Sequence, residues 1–146
     1  MDKDIHTLIG DIASCKKELA KLHQDLPAHL AHLQNHLQQL LEQGIKIYDH
    51  EGFHRYRTDP NINDDYVFLK SVISRISNFG HDLRADNAHP KLEALSKVAL
   101  QAHARWRDLF SADYPGIDHV RDEGMSIFKD LALLYHREDE LEREGF

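Results

Sequence analysis

The sequence predicts an all-α protein, an antiparallel up-and-down bundle of four to five helices in a single domain spanning residues 1–146. Apolar residues recur at the three- and four-residue spacing of helices, and the alternating pattern of a strand occurs nowhere. The chain has only 7 glycines and 4 prolines, so long elements with few breaks are expected. Short turns between long amphipathic helices favour antiparallel neighbours.

The first third of the chain predicts two helices, about 3–24 and 27–50. Apolar residues repeat every seven positions, at Ile5, Ile12, Leu19, Leu26, Leu33, Leu40 and Ile47, and a second row holds Leu8, Cys15 and Leu22. Pro27 interrupts this repeat, because the residue before a proline avoids the α conformation. Asp25 can cap a new helix that has Pro27 in its first turn. We therefore expect two helices folded back on each other, with one kinked helix as the alternative.

The rest of the chain predicts three further helices, about 64–84, 90–112 and 117–143. The turns between helices are expected at 25–27, 55–63, 86–90 and 113–117, where residues such as Pro60, Pro90 and Pro115 cluster with Asn, Asp and Gly. Asn63 or Asp64 is expected to cap the helix that begins near residue 64.

Composition and charge restrict the partners and the compartment. Hydrophobic residues make up 41% and charged residues 29% of the chain, which is ordinary for a soluble protein. A net charge of −7 without a basic run argues against nucleic acid or an anionic membrane as the partner. No stretch is long and apolar enough for a membrane span, and the N-terminus lacks the apolar run of a signal peptide. With Cys15 as the single cysteine, a cytoplasmic location is expected.

The 12 histidines make metal binding the main functional hypothesis. Residues four apart share one face of a helix, and facing helices of a bundle can hold a metal ion in the core. Four pairs have this spacing: His32/His36, His50/His54, His119/Glu123 and His136/Glu140. His103 and Asp108 have the neighbouring spacing of five. Imidazole and carboxylate ligands together suit iron.

Three other motifs are weaker. The string from His50 to His54 matches the zinc-protease pattern, but no third ligand follows at a suitable spacing and Gly52 weakens the helix. The spacing of Arg75 and His81 resembles the Arg–His spacing of helical ribonuclease (HEPN) domains. In a chain with twelve histidines, such a spacing can arise by chance. A calcium-loop start at Asp59 lacks the glycine and the final glutamate that the loop requires.

The order of the histidines resembles the hemerythrin-like family of four-helix, di-iron proteins. The stretch from Asp4 to Ile9 resembles the first-helix element of the family, with its histidine at His6. The stretch from Tyr48 to His54 occupies the place of the second element, although His54 stands where the family has a glutamate. His81 could supply the third-helix ligand. The stretch from Phe128 to Glu140 resembles the fourth element.

This resemblance implies a non-haem di-iron centre with the ligands His6, His50, His54, His81, His136 and Glu140. It implies a carrier or sensor of O2 or NO rather than an enzyme. His103 with Asp108, or His32 with His36, could replace some of these ligands. The alternative function is a helical protein–protein interaction or assembly module without metal or catalysis, as a homo-oligomer or with a helical partner. The seven-residue repeat over residues 5–47 favours such association.

Overall fold

The computed structural model describes residues 5–52, 59–81, 83–84 and 86–144, and the side chains of residues 14, 16–52, 59–81, 83, 84, 86–137, 139, 140 and 143. In chain order the elements are α1 (Ile5–His50), α2 (Pro60–Arg75), a 3-10 helix (Ile76–Phe79), α3 (Ala88–Leu109) and α4 (Ile117–Glu144). No strand occurs in these ranges, so the all-α prediction is confirmed. Within the same ranges no helix combines the length and the hydropathy needed to cross a membrane.

The predicted turn at 25–27 is wrong, because α1 continues as one helix of 46 residues with Pro27 inside it. Proline in a helix interior removes one backbone donor and crowds the preceding turn, at a cost of about 3 kcal/mol. Packing on both sides of Pro27 offsets that cost. Leu26 and Leu30 are fully buried there, and a Cβ at Gly80 would lie 3.0 Å from the Pro27 Cα. The chain after the 3-10 helix therefore lies directly against α1 at the proline.

Replacing Pro27 with alanine tests the continuity of α1. In a continuous helix, Pro27→Ala restores a backbone hydrogen bond and removes the steric conflict. The greater freedom of the unfolded chain offsets part of this gain. We expect the free energy of unfolding to rise by about 1–2 kcal/mol, measured by urea denaturation. If residues 25–27 instead formed a turn with proline in the first turn of the next helix, the substitution would lower stability or leave it unchanged.

The start of α2 also differs from the prediction, because Asp59 rather than Asn63 or Asp64 caps the helix. The Asp59 carboxylate accepts hydrogen bonds from the backbone N–H groups of Asn61 (2.9 Å) and Ile62 (3.5 Å). Pro60 occupies the first helical position, where its missing N–H is harmless. The helix predicted over 64–84 therefore begins at residue 60, ends at Arg75 and continues only as the short 3-10 helix.

Specific contacts give the directions of neighbouring helices. Trp106 lies against Gly124, and the ring of His89 lies 5.0 Å from that of Tyr135, so α3 and α4 run antiparallel. Glu18 pairs with Arg137 at 2.7 Å and the His36 Nε2 lies 3.8 Å from the Glu123 Oε1, so α1 and α4 also run antiparallel.

The apolar rows read from the sequence form the core between these helices. The largest fully buried side chains are Trp106, Tyr48, Phe110, Phe128, Leu26, Leu30 and Leu37.

Candidate functional site

The predicted metal ligands whose side chains are described lie on the surface. His50 is the last residue of α1 and is exposed. His81 is exposed just after the 3-10 helix, and His136 is exposed on α4. His6 belongs to α1, but its side chain is not among those described, and His54 lies outside the described residues.

The length of α1 separates these residues. His6 and His50 lie on the same continuous helix, which at about 1.5 Å per residue sets them roughly 65 Å apart. Gly80 packs on Pro27, so His81 lies roughly 35 Å along α1 from His50. The pairing of Arg137 with Glu18 sets His136 at the same end as His81, even farther from His50. These histidines therefore cannot share one metal centre in this fold.

The last predicted ligand, Glu140, is exposed, and Arg137 lies 3.5 Å from its carboxylate. Among the described residues, no three His, Cys, Asp or Glu side chains are grouped so that they could hold a metal ion. The ligands whose side chains are described, His50, His81, His136 and Glu140, are thus not brought together at one site. Iron binding by another ligand set and binding of O2 or NO stay predictions.

The alternative ligands do not form a closed site either. The rings of His32 and His36 are 6.4 Å apart, and the Glu123 carboxylate comes only within 3.8 Å of the His36 Nε2. His32 is exposed, whereas His36 is half-buried. His103 is half-buried and Asp108 is exposed at the end of α3.

A groove between α1 and α4 is the feature that agrees with the alternative, assembly-module hypothesis. This α1–α4 groove has a volume of about 350 Å³ and is lined by Glu18, Lys21, Leu22, Asp25, Leu26, His29, Leu134 and Arg137. Leu26 is buried, and Leu22 and Leu134 are half-buried beside it. The groove therefore has an apolar floor between two charged edges.

The last part of α4 extends beyond the first residue of α3. Because His89 contacts Tyr135 near the first residue of α3, α4 runs about two turns past the start of α3, from residue 137 to residue 144. The N-terminal part of α1 runs in the same direction. We call α1 residues 5–20 together with α4 residues 137–144 the arm. The α1–α4 groove lies at the base of the arm.

The edges of the groove carry charges of both signs. Glu18 on α1 and Arg137 on α4 form an ion pair of 2.7 Å across the groove. Lys21 and Asp25 line the groove from α1, are four residues apart and are exposed. The apolar rows of the sequence predicted the α1 leucines of the floor, because Leu26 belongs to the seven-residue repeat and Leu22 to the second row. The charged edges were missed, since they depend on which residues of α4 lie beside α1.

Comparison with protein-family models, with curated proteins and with solved structures finds no match to this chain.

Proposed function

We propose that this protein is an antiparallel up-and-down helical bundle that serves as a homo-assembly module, in which two copies pair through their arms. The observation that carries the proposal is the α1–α4 groove, whose apolar floor continues the seven-residue repeat of α1. A seven-residue apolar repeat favours the side-by-side packing of helices.

The apolar row of α1 becomes less buried toward the N-terminus of the helix. Leu26 is 1% exposed and belongs to the core, whereas Leu22 and Leu19, one and two turns closer to the N-terminus, are only half-buried. By sequence the same rows continue through Cys15, Ile12, Leu8 and Ile5. A second copy lying against Leu19 and Leu22 would remove their remaining apolar surface from water, which favours association by about 25 cal/mol per Å².

The charges at the groove favour a second copy as the occupant. Most homodimers have twofold symmetry, so each contact from one copy to the other is made twice. A surface that carries both cations and anions can complement itself under such symmetry. Glu18, Lys21, Asp25 and Arg137 provide charges of both signs at the groove.

The size of a stable interface requires the arm as well as the groove. Specific protein interfaces bury about 800 Å² on each partner. A groove of about 350 Å³ bounded by a few turns of two helices offers only part of that area. The remainder of the contact would come from α1 residues 5–20, about 24 Å of helix at 1.5 Å per residue.

Sedimentation velocity over a range of concentrations tests this proposal. We expect the parent chain to sediment as a dimer at micromolar concentration. Leu19→Glu inserts a charge into the apolar row, at a position outside the hydrophobic core, and is expected to weaken dimerisation at least about tenfold. Leu100→Glu is the matched control, because Leu100 is 59% exposed on α3, away from the arm. A monomeric parent, or equal dimerisation by both variants, would contradict the proposal.

Two measurements distinguish an assembly function from an iron-dependent function: dimerisation after treatment with a chelator, and elemental analysis of the iron content. For an assembly module, we expect the dimer of untagged protein to persist after the chelator treatment. Iron retained at one or two atoms per chain, and lost from His50→Ala or His136→Ala, would instead favour the iron centre. The two variants report separately, because His50 is the last residue of α1, whereas His136 lies on α4 next to the residue that pairs with Glu18.

A further inference from the structure

We propose that a second groove, on the outer side of α2 and α3, binds a small amphiphile with one carboxylate, of the medium-chain fatty acid type. This outer groove has a volume of about 430 Å³, within the usual range of ligand pockets. Its apolar floor contains Val72, Phe79, Ala94 and Val98, and Arg75 and Lys91 rise at its two walls. The arm is formed by other helices, so this inference is independent of the assembly proposal.

The dimensions of the floor favour an acyl chain over a helix. Val72 and Phe79 are seven residues apart, so the floor is roughly 10 Å long, or two helical turns. The anchors at i and i+7 of a docked amphipathic helix span the same roughly 10 Å, so the floor is long enough for only the smallest set of helix anchors. Val72 is 2% exposed, and Phe79 and Val98 are half-buried, so a slender apolar chain could lie on this floor.

The two cations supply the site for a carboxylate. The Arg75 Nε donates to the Ser71 carbonyl oxygen at 3.3 Å, and the Lys91 Nζ donates to the His81 carbonyl oxygen. Within the described residues, neither cation forms an ion pair with a carboxylate. The main-chain bonds hold both side chains at the walls of the groove while leaving further N–H donors on each.

The charge of this groove is opposite to that of the protein as a whole. The chain carries a net charge of −7, yet the described residues that line the outer groove include two cations and no acid. An arginine and a lysine that line the same apolar groove favour a ligand with an anionic head and an apolar body.

Calorimetric titration with sodium octanoate, kept below its micelle concentration, tests the site. We expect saturable binding of one octanoate per chain, and binding of 1-octanol at least about tenfold weaker because it lacks the charge. Arg75→Gln and Lys91→Gln should each weaken octanoate binding by about three- to tenfold. Lys97→Gln is the matched control, since Lys97 is exposed on the same helix, pairs with Glu93 and is expected to change binding less than twofold.

Methyl NMR spectra locate the ligand. Octanoate should shift the methyl signals of Val72 and Val98, while those of Leu133, which is 50% exposed on α4, stay in place. The proposal is overturned if octanol binds as tightly as octanoate, if Arg75→Gln and Lys91→Gln bind like the parent, or if the shifts occur elsewhere. The comparison of octanoate with octanol uses the unmodified chain, so it is valid even where a variant folds poorly.

Discussion

Replacing Trp106 with alanine is expected to lower the free energy of unfolding by about 3–5 kcal/mol, the largest effect of a single substitution predicted here. Trp106 is 0% exposed, and its indole Nε1 donates to the Val120 carbonyl oxygen at 3.1 Å. Its ring lies edge-on to Phe110 and Phe128, with centroid distances of 4.8 and 5.8 Å. The substitution would leave a cavity where α3 and α4 meet. Urea denaturation followed by circular dichroism measures the loss, with Leu100→Ala as an exposed control expected to change stability by less than about 0.5 kcal/mol.

Gly124 makes this contact testable in a second way. A Cβ at residue 124 would lie 2.1 Å from the Trp106 Cε2 and 2.2 Å from its Nε1, closer than atoms can approach. Gly124→Ala should therefore destabilise the parent by about 1–3 kcal/mol, although alanine is the better helix former. In the Trp106→Ala background the cavity accepts the methyl group, and the same substitution should become stabilising by up to about 1 kcal/mol. Additive effects of the two substitutions would show that the indole does not pack on Gly124.

The second large effect is expected at Tyr48, which joins the end of α1 to the α3–α4 connection. Its hydroxyl donates to the Leu109 carbonyl oxygen, the Ala112 backbone N–H donates to the hydroxyl, and its ring lies 5.7 Å from that of Phe110. Tyr48→Phe keeps the ring but leaves these main-chain groups without that partner. We expect a loss of about 1–3 kcal/mol at neutral pH, measured by thermal or urea unfolding.

Tyr48 should also make the stability depend on pH in the alkaline range. Burial raises the pKa of Tyr48 from 10 to about 12, because the buried site disfavours the charged tyrosinate. Between these two values the unfolded chain has released the proton and the folded chain retains it, so stability falls as pH rises from about 10 to 12. Below pH 10 this contribution is constant.

Two measurements check this behaviour. In the ultraviolet titration of tyrosinate, one of the 5 tyrosines should titrate near pH 12 and should be missing from Tyr48→Phe. In the same variant, stability should fall less steeply between pH 10 and 12 than in the parent. Tyr66→Phe is the control, since Tyr66 is only half-buried on α2. A parent whose tyrosines all titrate near pH 10 would contradict the predicted environment of Tyr48.

The amino-acid sequence by itself determined the helical class and most of the buried face of each helix. The apolar spacing predicted a buried stripe in the second half of α1, formed by Leu30, Leu33, Leu37, Leu40, Leu41 and Ile45. Leu33 and Ile45 are half-buried, and the other four are buried. The same spacing also identified α3 and α4 to within a few residues. Apolar periodicity is a local property that persists in the fold, because a helix must bury its apolar stripe. The seven-residue repeat that underlies the proposed arm is of the same local kind.

Only the tertiary structure decided whether the chain turns at Pro27. Local preferences favour a break there, but the packing of Leu26, Leu30 and the Gly80 backbone around the proline supports a continuous helix. That one outcome also determined the position of the histidines. Folding back at 25–27 would have brought His6 and His50 toward the same end, whereas a continuous α1 holds them roughly 65 Å apart. The contact of Trp106 with Gly124 likewise depends on the register of two helices, which helical periodicity alone does not specify.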